Sequence, residues 1–194
     1  MDFIIEDGVL KKYEGNSKKV IVPDGITVIG HHAFYENEKI QEIMLPDGVT
    51  RIEYRAFYSC SNLSEIVLPD SVTRIEYDAF SFCSNLSEIV LPDNLTMIED
   101  AAFDFCRHLR EIVLPEGLKT IGQSAFEDCR SLGYIKIPDS VTEIGYSAFH
   151  RISCNAVIDI RDGEKRFPNT DFVSKTGDMF YKHFDDEDSG GIWG

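Results

Sequence analysis

Apolar and polar positions along this chain recur with a period of 23 residues. Prolines stand at 23, 46, 69, 92, 115 and 138, and the text between them repeats almost verbatim, PDGVTRIEYRAFYSCSNLSEIVL being followed by PDSVTRIEYDAFSFCSNLSEIVL. Self-similarity at a fixed period of this size is the mark of a solenoid. Counting each coil from its Pro, position seven is Ile in all six copies (Ile29, Ile52, Ile75, Ile98, Ile121, Ile144). Position twelve is Phe in all six (Phe34, Phe57, Phe80, Phe103, Phe126, Phe149). Ala at eleven, Leu or Ile at eighteen in five copies, Ile at twenty-one and a Leu or Ile before the next Pro complete most of an interior that stacks like on like.

A single coil cannot stand alone, because burying about eight apolar side chains does not offset ordering 23 residues of backbone. Stability must come from neighbours. Ile66 and Leu68 alternating with Glu65 and Val67 predict one short strand per coil, and Ile at position seven between polar residues predicts a second. Both would run as parallel ladders, with Pro, Asp or Glu, and Gly, Ser or Asn forming a tight turn between them. Position eight is Gly30, Gly122 and Gly145 but also Glu53, Glu76 and Glu99, so no positive φ is required there.

The ends depart from the repeat, as capping demands. Phe3 and Ile5, a turn at Asp7 and Gly8, then Val9 to Tyr13 predict a hairpin. After Arg161 takes the place of the next Pro, Pro168 to Thr170 and the spacing of Phe172, Val173, Met179, Phe180 and Phe184 predict a capping helix over 170–184, weakened by Gly177. The domain boundaries are then 1–22 for an N-terminal β cap, 23–160 for six repeats, 161–184 for a C-terminal cap and 185–194 for a mobile acidic, Gly-rich tail carrying Trp193.

The pattern LxxIxLPxxVTxIxxxAFxxC, here LSEIVLPDSVTRIEYDAFSFC, resembles the BspA-like leucine-rich repeat family of bacterial proteins over residues 20 to 160. The opening GVLKKYEGNSKKVIVP is similar to the entry segment of such proteins. The resemblance implies a leucine-rich repeat solenoid, curved and right-handed, mostly β with short parallel strands and turns, between an irregular N-terminal β cap and a C-terminal helical cap. It also implies a kinship with surface proteins that bind host or matrix proteins, many of them without an assigned role.

Charge narrows the partners. The 34 Asp and Glu against 19 Lys and Arg leave a net charge of −15, which repels phosphate backbones and anionic bilayers and argues against a nucleic-acid or membrane-surface role. The longest apolar runs are a few residues, so no membrane span is expected, and the segment after Met1 lacks the basic and apolar regions of a signal peptide. With Met1 as the native start the expected compartment is the cytoplasm. Removal of an export segment would instead place the protein at the cell surface or outside.

Candidate chemistry is sparse. Cys60, Cys83, Cys106 and Cys129 share position fifteen with Asn37, which suggests a buried side chain bonding turn backbone. The absence of CxxC argues against a metal cluster. Cys154 lies off that row. Adjacent cysteines about 4.8 Å apart leave a disulfide sterically open, but a buried row fits reduced thiols. The five histidines follow no HExxH spacing, and no P-loop, dinucleotide or G-x-S-x-G fingerprint occurs. A repeated surface presents the same group again and again, whereas catalysis needs unlike groups converging. No catalytic residue, metal or cofactor is assigned.

Two outward rows stand out. Glu42, Glu65, Glu88 and Glu111 stack at position twenty beside Met44, Val67, Val90 and Val113 at twenty-two. Three accounts compete: glutamates splayed into water near Arg110, an electrostatic surface for a basic protein partner, or calcium, which lacks the usual six to eight oxygens. The second row carries Arg51 and Arg74, Glu53, Glu76 and Glu99, and His31, Tyr54, Tyr77 and Tyr146, read either as an interface anchor or as a mixed-sign face in internal balance. Tyr58, Phe82 and Phe105 could pack between coils. Asn62, Asn85 and Asn94 begin sequons that arise from the repeat text. The expected function is a noncatalytic protein-binding module with an unidentified partner and unassigned oligomeric state. An inert structural or spacer domain is the alternative, and an enzyme the remote one.

Overall fold

A computed structural model describes residues 2–160 and the backbone of 180–182. Strands β1 (Phe3–Glu6) and β2 (Val9–Tyr13) form an antiparallel hairpin. Its two turn residues, Asp7 at φ 49° and Gly8 at φ 75°, both lie in the left-handed region, the conformation that matches strand twist in a two-residue turn. The chain then winds as a solenoid. Position six and seven residues form β4 (Val28–Ile29), β6 (Arg51–Ile52), β8 (Arg74–Ile75), β10 (Met97–Ile98), β12 (Thr120–Ile121) and β14 (Glu143–Ile144). On the other side lie β3 (Lys19–Ile21), β5 (Glu42–Met44), β7 (Glu65–Val67), β9 (Glu88–Val90), β11 (Glu111–Val113), β13 (Tyr134–Ile137) and β15 (Val157–Ile160).

The first sheet runs β1-β2-β4-β6-β8-β10-β12-β14, and beyond the hairpin every neighbour is parallel, Ile29 aligned with Ile52, Ile52 with Ile75 and so on. The second sheet runs from β3 to β15 in the same register, Ile43 on Ile66, Ile66 on Ile89 and Ile89 on Ile112. It ends on β16 (Phe180–Lys182), where Val157 pairs with Phe180. This corrects the end of the expected helix over 170–184. Phe180 stands 23 residues after Val157, so the open edge of β15 captures it at the spacing of the array. The rest of that helix, the tail at 185–194 and Trp193 lie outside the described residues.

The connection from the second sheet to the first is a tight turn in which, from Pro46 onward, the Pro carbonyl accepts the position-four N–H, as Pro69 does from Val72 at 3.0 Å. Pro therefore precedes the bend, and the two residues after it form the corner. Position four (Ile26, Val49, Val72, Leu95, Leu118, Val141) points inward and is a further buried row.

A third side closes each coil without strands. Backbone N–H groups at positions eleven, thirteen and fifteen bond back within their own coil, as Ala33 to Gly30, Tyr35 to His32 and Asn37 to Phe34. Those at ten, twelve and fourteen donate to the next coil, as His32 to Tyr54, Phe34 to Ala56 and Glu36 to Tyr58. This alternation turns successive peptides by placing positions ten and fourteen of every coil at φ between 53° and 61°. None of these twelve residues is glycine, and some are as bulky as Arg55, Phe82, Phe105 and Arg151. Each left-handed residue costs roughly 1–2 kcal/mol, offset by the hydrogen bonds it directs to both neighbours.

Inside, the six phenylalanines form a continuous buried stack. Successive ring centroids are 5.0, 5.0, 5.3, 5.4 and 5.6 Å apart, with interplanar angles of 10° or less. Tyr13 of the hairpin sits on Phe34 at 5.4 Å and Phe3 on Tyr13 at 5.1 Å, so the cap extends the aromatic column. Phe80, fully buried between Phe57 and Phe103, has no space into which neighbours can relax. Phe80→Ala is therefore expected to destabilise by about 3–5 kcal/mol in urea unfolding, whereas truncating the surface-facing Phe82 should cost about 1 kcal/mol or less.

Candidate interaction surface

The Ile at position twenty-one points into the core, so its neighbours at twenty and twenty-two point out. The pairing register then sets Glu42, Glu65, Glu88 and Glu111 side by side across β5, β7, β9 and β11, at the strand spacing of about 4.8 Å. Two residues along each strand, Met44, Val67, Val90 and Val113 make a parallel row with Ile21 at its head. These aliphatics are 50–78% exposed. Lys19 reaches Glu42 at 2.7 Å, and this hydrogen bond raises the lysine pKa. Among the described residues no salt bridge reaches Glu65, Glu88 or Glu111, and Arg110 pairs with none of them. Below the row the pattern breaks: Tyr134 follows Glu111 and bonds Asp159 at 2.8 Å, and Lys136 follows Val113.

The outer face of the first sheet behaves differently. Arg51 contacts Glu53 at 2.6 Å and Glu76 of the next coil at 3.7 Å, and Arg74 contacts Glu99 at 2.5 Å. Glu53 and Glu76 also accept the backbone N–H of His31 and Tyr54 in the coil above. The carboxylates at position eight are thus structural, and Arg51 and Arg74 are committed to them. Tyr54 is half-buried under Arg55, whose guanidinium lies 4.8 Å from both the Tyr54 and Tyr58 rings, while Tyr77 is exposed. The candidate residues therefore do not form one site. Glutamates and valines share one sheet, arginines and tyrosines the other, with the core between them.

The third side carries the aromatic row in which Tyr58, Phe82 and Phe105 were expected to pack between coils, and Tyr35 joins it. Tyr35 stacks on Tyr58 at 5.3 Å, Tyr58 touches Phe82 at 5.4 Å, and Phe82 stacks on Phe105 at 4.6 Å. Arg55 crosses from this row to Asp78 at 2.9 Å. Further along, Asp128 is buried and held by Arg130 at 2.6 Å and Arg151 at 3.3 Å, and Glu127 meets His150 at 2.9 Å. Asp104 is the exception: its Oδ1 is buried without a hydrogen-bond partner. Burial, with the carboxylates of Glu127 and Asp128 beside it, pushes its pKa up to about 7.

Each of the four cysteines donates its thiol to the Phe carbonyl of the preceding coil: Cys60 to Phe34, Cys83 to Phe57, Cys106 to Phe80 and Cys129 to Phe103, at 3.1–3.2 Å. Asn37 serves the same turn with opposite polarity, its Oδ1 accepting the N–H groups of Lys39 and Ile40. Burial raises the pKa of Cys83, Cys106 and Cys129, all of which are free thiols, as is the exposed Cys154. Among the described residues no three His, Cys, Asp or Glu side chains are placed to share a metal ion. No described helix is long and apolar enough to cross a membrane.

Two parallel sheets and a strandless third side, repeated in register, define a leucine-rich repeat solenoid. The chain belongs to the BspA type leucine-rich repeat family, whose pattern matches in six copies over residues 4–113 and 99–176. Among solved structures it is similar to a leucine-rich repeat protein of T. pallidum, with 26% identity over 86% of this chain and 91% of that one and a TM-score of 0.63. It is also similar to a leucine-rich cell surface protein of Faecalibacterium prausnitzii, with 27% identity over 81% of this chain and a TM-score of 0.68, spanning 52% of that protein. The pneumococcal vaccine antigen PcpA, 20% identical over 92% of this chain and 45% of its own, shares the fold at a TM-score of 0.66. No curated protein sequence matches the chain.

Two outcomes follow from these rows. Folded Asp104 holds its proton up to about pH 7, whereas an unfolded Asp loses it near about 3.9. Folding therefore binds a proton between these values, and this stability is lost as pH rises through about 7. Asp104→Asn should raise the melting temperature at pH 8, with the gain shrinking toward pH 5. A maleimide reagent should label Cys154 in the folded protein within minutes and leave Cys60, Cys83, Cys106 and Cys129 unmodified until denaturant is added, as read by mass spectrometry.

Proposed function

We propose that this chain is a noncatalytic protein-binding module that engages its partner through the outer face of the second sheet. One observation carries the reading. Arg51 and Arg74 on the first sheet are paired with Glu53, Glu76 and Glu99, whereas Glu65, Glu88 and Glu111 form a single-sign row that no salt bridge reaches among the described residues, beside exposed Val67, Val90 and Val113. Like charges in adjacent strands disfavour the isolated fold slightly, and a basic partner would remove that repulsion while the valines lose their exposure to water. Membership of a leucine-rich repeat family, whose arrays commonly serve protein interaction, supports the same class of role.

A pull-down from native lysate tests the reading, comparing wild type with the Glu65→Lys, Glu88→Lys, Glu111→Lys triple variant. The expected result is a specific partner retained by wild type and lost by the variant. Capture that is unaffected by charge reversal, or no enrichment by wild type, would remove this face from consideration.

A further inference from the structure

Resting on that reading, we infer that the partner element is a basic amphipathic α-helix lying along the solenoid axis, across the strands of the second sheet. The argument is one of matching periods. Glu42, Glu65, Glu88 and Glu111 stand on consecutive strands, so from first to last they span about 14 Å. Three turns of α-helix rise about 16 Å, and the misfit of about 2 Å is taken up by flexible lysine or arginine side chains. An extended partner running the same way repeats every second residue, about 6.7 Å, and four in-phase side chains would span about 20 Å. Its cations would fall out of step with the carboxylates after the second rung.

The companion row selects the rest of the partner. Met44, Val67, Val90 and Val113 follow the glutamates at the same intervals, one step along the strands or about 7 Å away. That separation fits within the helix diameter of about 10–12 Å. A helix with an apolar stripe bordered by Lys or Arg at i, i+4, i+7 and i+11 covers both rows at once. The footprint has ends. Lys19 already sits on Glu42 at one side, and Lys136 replaces the aliphatic row at the other. With Glu42 already paired, the open carboxylates Glu65, Glu88 and Glu111 span about 10 Å, so a basic helix is favoured there over about two turns.

Two labelled peptides of about 14 residues with identical Lys, Leu and Ala content test this, one arranged with helical periodicity and one with strict alternation. Fluorescence anisotropy titrations at low and high salt, with circular dichroism of the bound peptide, are expected to show the helical arrangement binding at least about tenfold tighter and gaining helix on binding. Glu65→Gln, Glu88→Gln, Glu111→Gln should weaken it by about tenfold, as should Val67→Ser with Val90→Ser, while thermal melting of both variants confirms that they fold. Equal affinity for the two peptides, or preference for the alternating one, overturns the helix. If neither peptide binds while lysate capture still depends on the glutamates, the helix falls and the protein-binding role stands. If both experiments are negative, both fall.

Discussion

Each residue of the array is held by the residue 23 positions away, and this one translational constraint governs everything else in the molecule. It acts on three sides of every coil: two ladders of parallel strands and one ladder of alternating turn hydrogen bonds. Identical rows are the consequence, because a side chain that fits one coil meets its own kind in the next. Flat phenyl rings, branched aliphatics and small thiols all tolerate such self-stacking. Inside, the constraint makes a core of unusual regularity; outside, it places like charges together.

The two outer sheet faces resolve that second consequence in opposite ways. On the first sheet, Arg51 and Arg74 pair with Glu53, Glu76 and Glu99 along and between coils, so attraction there is internal, and Glu53 and Glu76 also accept backbone N–H groups. The second sheet has Lys19 at its head, and among the described residues no further salt bridge reaches the glutamate row. Electrostatics is therefore structural on the first face, whereas the second presents its charge to the surroundings.

Much of this was legible in the chain itself, because a 23-residue period repeated six times fixes register without any knowledge of conformation. The rows at positions seven, eleven, twelve, eighteen and twenty-one followed from identity alone. Position four was not assigned, since it varies among Ile, Val and Leu and lies beside turn residues. The left-handed residues at ten and fourteen were invisible for a deeper reason: no glycine or asparagine marks them, and the hydrogen bonds that enforce them come from neighbouring coils. Similarly, β16 was masked by an apolar spacing that suggested a helix, although Phe180 keeps the interval of the array. The division of the candidate residues between two faces needed only the strand positions, but the pairing of Arg51 and Arg74 with their acids needed side-chain geometry.

The coils at 46–68 and 69–91 differ at four places only, Gly48 and Ser71, Arg55 and Asp78, Tyr58 and Ser81, Ser59 and Phe82. Gly48 and Ser71 lie at the corner after Pro and the other three pairs on the strandless third side, where they make contacts between the coils: Arg55 on Asp78 and Tyr58 on Phe82, with Ser71 at its corner on the carbonyl of Asp47. A mis-threaded chain that looped one of these coils out would give up that coil's own burial, yet the remaining interior would still meet like with like and only these surface contacts would be mismatched. Telling these two neighbours apart during assembly thus falls to a handful of weak superficial bonds.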